Sequence, residues 1–309
     1  MDDPFQTKFN ELSEDLLNQI LIELNEKNCR QLDEIDNNWI NFGKFRSNSG
    51  VVQNIITICE VFKLEDCVKY ASIELFDKLL VQLVCDTKRV FLETTRSITE
   101  EKIPFDWTSI EEKLKRQMHL RAVTCVLISA KLLSGKSTEM TVSCVQTFLR
   151  KSGYKYSLKN LNQSELRVLK LLDYKLILDS IDIYVETLLE VLKCNFNGFE
   201  SCLQSFRSIA IELIDLYYIC RNVISRNAFK IMSKRLRLEL SATDEELGVE
   251  RIGSNKMLIS SAIIASIPIL IDVSIYEKIV TELSEICGIN GHLIVDMSHA
   301  ILYLISEDI

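Results

Sequence analysis

Residues 119–133 read HLRAVTCVLISAKLL. From Ala122 onward the apolar side chains leave no polar stripe on a helix, which a soluble protein tolerates only where other helices surround it. The stretch predicts the hub of a helical bundle. The whole chain points the same way: its 309 residues include nine glycines and three prolines, far below the ~12% usual for the two together, so a turn-rich β-sandwich or barrel is disfavoured. The expected class is all-α.

Working outward from the hub, Val51, Val52, Ile55, Cys59 and Phe62 follow a helical period from Gly50 to Lys63. A second helix starts near Asp66 and runs through Val68, Ala71, Leu75, Leu79 and Leu83. It fades near Arg96 into the polar segment SITEEKIPFDW, where Pro104 marks a loop. After the hub come helices from about Ser137 to Lys151 and from about Ser157 to Leu172, the latter with a stripe of Leu158, Leu161, Val168, Leu169 and Leu172. That makes five helices. A similar order recurs with helices near 181–193 and 200–224, a charged stretch, a second hub at 256–271, and helices near 274–287 and 291–306. LISAKLL from Leu127 and LISSAII from Leu258 occupy matching places, so the chain reads as two copies of one five-helix unit. Ahead of both, residues 1–40 carry ten acids and three bases, yet Leu17, Ile20, Leu21 and Leu24 make an amphipathic docking helix behind a Ser13 N-cap.

Several functions are disfavoured at once. The ten cysteines are scattered without a C-x-x-C pair and read as buried thiols of a reducing compartment. His119, His292 and His299 lack neighbours at a metal-ligand spacing, and no P-loop, G-x-S-x-G or dinucleotide-binding glycine pattern is present. The expectation is a non-enzyme with no cofactor and no metal. The acidic N-terminus is not a secretory signal. Met257–Ile271, fifteen residues without a charge, falls short of the ~18 that a membrane span needs. A net charge of −8 argues against a surface that grips nucleic acid throughout.

Two charges look out of place. Lys131 is the only charged side chain between Ala122 and Gly135, and Glu165 falls in the apolar stripe of the fifth helix between Leu161 and Val168. A lone charge on such a face needs a partner or an opening to solvent. Either the two pair with each other, or Lys131 caps helix-end carbonyls, or both bracket a surface that docks another protein. A third feature is the stripe Arg226, Lys230, Lys234 and Arg237 on one helical face, a possible surface for phosphate or an acidic partner, or simply a solvated face.

These residues resemble the cyclin family. LRAVTCVLISAKLL looks like the third helix of a cyclin box, with Lys131 at the family's lysine. SELRVLKLLDYKL resembles the fifth, with Glu165 at its glutamate, and FDKLL (Asp77, Lys78) resembles the second. YVETLLEVL at 184–192, the insertion of about 86–116 and a second box ending in HAIL are similar to a cyclin branch associated with crossover maturation in meiosis. The resemblance implies an N-terminal helix and linker (1–46), a first box (47–178) and a divergent second box (179–309). It also implies a nuclear regulator on meiotic chromosomes that promotes crossover formation. Its Lys131 and Glu165 would dock a cyclin-dependent kinase or recombination proteins. Two alternatives stand beside this: a kinase-independent scaffold for replication or recombination factors acting through the second box, and a nucleic-acid-binding cyclin fold like those of general transcription factors. Where cell-cycle cyclins carry an apolar substrate-docking patch and a tryptophan, this chain has Ser47, Asn48, Ser49, Gly50, Val51 and Asn54; Leu133 and Ser134 replace the acidic pair that follows the lysine.

Overall fold

The computed structural model describes residues 13–42, 49–98, 107–134, 140–176, 179–196, 198–237 and 241–307. Among them it has twelve α-helices, one short 3-10 turn and no strand, so the all-α expectation holds. The helices are α1 (Glu14–Phe42), α2 (Ser49–Val61), α3 (Asp66–Ile98), α4 (Trp107–Leu133), α5 (Val142–Lys151), α6 (Leu158–Leu171), α7 (Ile181–Asn195), α8 (Glu200–Leu236), α9 (Ala242–Ser254), α10 (Lys256–Ile271), α11 (Tyr276–Cys287) and α12 (Gly291–Glu307). They sort into two compact units, one of Ile40–Leu178 and one of Asp179–Ile309 joined by the N-terminal segment up to Trp39.

In the first unit α4 is the hub, packed against α2, α3 and α6. Every residue from Ala122 to Ala130 is buried, as its uninterrupted apolar surface requires. α5 and α6 start where a side chain takes over an orphan amide: Thr141 accepts from Cys144 N and Ser157 from Asn160 N, caps worth about 1 kcal/mol each. The Thr141 cap corrects the expected start near Ser137, although 137–139 lie outside the described residues. Leu158, expected in the apolar stripe, is exposed in the first turn, while Leu161, Val168 and Leu172 are buried.

The second unit centres on α10, which packs against α7, α8, α11 and α12. Residues Lys256 to Pro268 are all buried. Its serines are tolerated because they bond locally: Ser261 donates to Met257 O and Ser266 to Ala262 O, both at 2.8 Å. α1 covers this unit with Leu17, Leu24, Leu32 and Ile35. Tyr184 Oη donates to Leu24 O at 3.1 Å. The buried Asn28 accepts from Lys256 N at 2.9 Å and donates to Asn255 Oδ1 at 3.0 Å. The docking helix of the sequence therefore docks on its own chain.

Three expectations change. The insertion of 86–116 is largely helix, because α3 continues to Ile98 and α4 begins at Trp107; Pro104 lies outside the described residues. The charged stretch after 224 is the second half of α8, followed by α9, whose Asp244 and Glu245 form its first turn behind the Ser241 cap. Of the ten cysteines, none in a disulfide, only Cys59, Cys125 and Cys287 are buried; Cys29, Cys144 and Cys194 are exposed because each lies on a solvent face or at an element end.

Candidate functional site

α4 leaves the core at Lys131. Ala130 is buried, whereas Lys131, Leu132 and Leu133 are exposed. On α6 the register that buries Leu161, Ser164 and Val168 also brings Ser164 to Thr124 of α4 at 2.8 Å. Glu165, the next residue, reaches Lys131: Nζ to Oε1 is 2.5 Å, with the side chains 47% and 17% exposed. The two out-of-place charges thus pair with each other, and Leu166 adds an exposed apolar side chain beside Glu165. An ion pair this open contributes only about 0.2–1 kcal/mol, too little to account for the fold. A partner able to replace either charge would therefore displace little stability.

Arg226, Lys230 and Lys234 are exposed along α8, and Arg237 is exposed at its C-cap with a left-handed φ of 51°. Arg235 points elsewhere, bonding the buried Asp296 and donating to His292 O at 3.1 Å. Burial pushes the Asp296 carboxyl up from its ordinary value, opposed by Arg235, His299 and His292. His292 and His299 are thus neighbours of an ion pair, and no group of three metal-binding side chains occurs among the described residues.

At the place of the family's apolar patch, Ser49 and Gly50 are exposed and Val51 is buried; Ser47 and Asn48 lie outside the described residues. Asn54 contacts His119 (Nδ2 to Nδ1, 2.7 Å), whose ring lies 4.7 Å from that of Tyr154. This position is polar and internally bonded. Lys78 donates to Lys175 O at 3.0 Å, tying α3 to the segment after α6.

One site escaped the sequence reading. α3, α4 and α6 enclose a cleft of about 720 Å³ lined by Arg121 and Arg167 among others. Arg121 lies inside the hub string itself, next to an otherwise apolar run, and that position was the available signal.

The chain is similar to proteins named for a cyclin domain. Two curated relatives, both named cyclin N-terminal domain-containing protein 1, carry that conclusion. The Homo sapiens protein is 27% identical over 301 residues, spanning 96% of this chain and 86% of the relative. The Mus musculus protein is 28% identical over 267 residues, 84% of this chain and 75% of the relative. The cyclin resemblance read from the hub and from YVETLLEVL is borne out. No family model matches the chain.

Proposed function

We propose that this chain is a non-catalytic regulator built on two tandem cyclin boxes, acting in the nucleus on meiotic chromosomes to promote crossover formation and maturation. It does so by docking a cyclin-dependent kinase through the face where α4 and α6 meet. The observation that carries the reading is the Lys131–Glu165 pair: two charges at the family's docking positions, joined to each other and flanked by exposed Leu132, Leu133 and Leu166. A kinase backbone or side chain would exchange for one half of the pair while the leucines are covered.

A second reading, the kinase-independent scaffold for recombination or replication factors, is favoured by the end of the second hub, where Ile269, Leu270, Ile271 and Val273 are exposed in succession. Binding by purified cyclin-dependent kinases to the chain, its Lys131→Glu and Glu165→Lys variants and the double swap separates the two. Truncating a desolvated charge at an interface costs about 2–5 kcal/mol, so each single reversal should weaken kinase capture at least about tenfold. Melting should change little, since the free pair is worth under ~1 kcal/mol. Full capture by both single variants would refute kinase docking here and leave the scaffold.

A further inference from the structure

We infer that the cleft between α3, α4 and α6 is a second binding site, one that takes a phosphorylated segment of a partner polypeptide. Its defining feature is an excess of positive charge: Arg89, Arg121, Arg167 and Lys170 line it against Asp86 and Asp173. Arg121, half-buried on α4 and part of the cleft lining, spends one guanidinium nitrogen on Gln117 Oε1 at 2.7 Å, while its Nε is buried with no acceptor. Arg167 of α6 shares the cleft, and Lys170 follows it on the wall. Among the described residues no carboxylate pairs with Arg121 or Arg167. The α3 acid in the lining is already engaged: Asp86 binds Arg89 at 2.9 Å and accepts from Gln82 at 3.4 Å.

Burial, together with the like charge of Arg167, holds the Arg121 guanidinium below the ordinary arginine value, with only the Cys125 thiol acting in the other direction. Two like charges that line one cleft and act on each other are relieved by an anion that contacts both. A phosphate group does this best, because its charge approaches −2 and it offers three strong acceptor oxygens to planar donors. Tyr156, Asn160 and Gln163 add neutral polar groups for the flanking peptide, and about 720 Å³ lies within the ~300–1,000 Å³ of ordinary ligand sites. A nucleic-acid strand fits poorly. The chain's net charge of −8 repels a long polyanion more than a single phosphate group.

The site uses no atom of the Lys131–Glu165 pair, so it stands or falls apart from kinase docking. The test presents the full chain to two immobilised degenerate peptide libraries, one phosphorylated on a fixed serine or threonine and one not. We expect at least about tenfold greater retention on the phosphorylated library, released by inorganic phosphate. Arg167→Gln should reduce it about tenfold by removing a charge-assisted contact, while Arg150→Gln, exposed on α5, should leave it unchanged. Arg121→Gln should act like Arg167→Gln; if its melt shows that it fails to fold, the exposed Arg167 decides the matter. Equal retention on both libraries, or full retention of Arg167→Gln, would overturn the inference. So would binding to a single-stranded oligonucleotide, dependent on both arginines, in place of the phosphopeptides.

Discussion

Replacing Arg207 by Met should destabilise the second unit more than any surface charge change in the chain. Arg207 of α8 donates through Nε to Glu186 Oε1 at 2.9 Å and Oε2 at 3.2 Å, and its terminal nitrogen bonds both Glu186 and Glu190. The three side chains are only 11%, 10% and 3% exposed. Burial works against the charge on Arg207, yet the two glutamates hold its proton more firmly than usual. Removing the arginine leaves two carboxylates on a buried helix face. Lys193 lies 3.5 Å from Glu190 and stays beside that one.

Breaking a buried ion pair from one side costs about 3–5 kcal/mol, and the remaining Lys193 contact sets the expectation near ~3 kcal/mol. With a urea dependence of ~2 kcal/mol per molar, the midpoint for this unit should fall by about 1.5 M. Circular dichroism across a urea titration reads the shift. Hydrogen exchange over Ile181–Leu192 shows whether the loss lies in α7. Adding Glu186→Gln and Glu190→Gln to Arg207→Met should recover most of it, because neutral amides no longer demand a counter-charge. A midpoint drop below about 0.5 M, or no recovery in the triple variant, would refute the clamp.

Two further changes probe packing and titration. A Cβ on Gly248 of α9 would fall on the ring of Phe229 of α8, so Gly248→Ala should cost about 1–3 kcal/mol through overpacking despite its better helix propensity; a melt that rises instead would show that the ring moves freely. Burial pushes the Cys287 thiol up to about 11, from 9.0 ordinarily, partly offset by Ser261. The native state therefore keeps a proton that the unfolded chain releases, and this contribution is fully present below the ordinary value and lost as pH rises to about 11. From about pH 8.5 to about pH 10.5 the wild type should lose about 2 kcal/mol more than Cys287→Ala, read from paired denaturation curves; parallel losses would contradict it.

How much the sequence disclosed depended on whether one helix or several were needed to interpret a residue. Both hubs were legible because a run without a polar face has only one soluble solution, and the start of α3 at Asp66 was legible from its period. The C-terminal end of α3 and the start of α4 were not. Their exposed turns are held by local pairs such as Arg89–Asp86 and Arg116–Glu112, which leave no apolar stripe to read. The basic half of α8 did not read as a continuation of the helix before it, because the apolar face that joins them is reduced to Ile224, Ala228 and Met232 beneath the charges.

The candidate sites follow the same division. Lys131 and Glu165 stood out as lone charges on apolar faces, but their pairing joins residues on different helices. Arg207 and Arg121 make the point most sharply, since both are arginines among apolar neighbours and neither spacing reveals its role. The fold brings two glutamates to Arg207 and a second arginine to Arg121. The first is then a closed structural clamp, whose loss is felt as stability. The second lines the cleft inferred to take a phosphorylated segment, and its loss should be felt as binding.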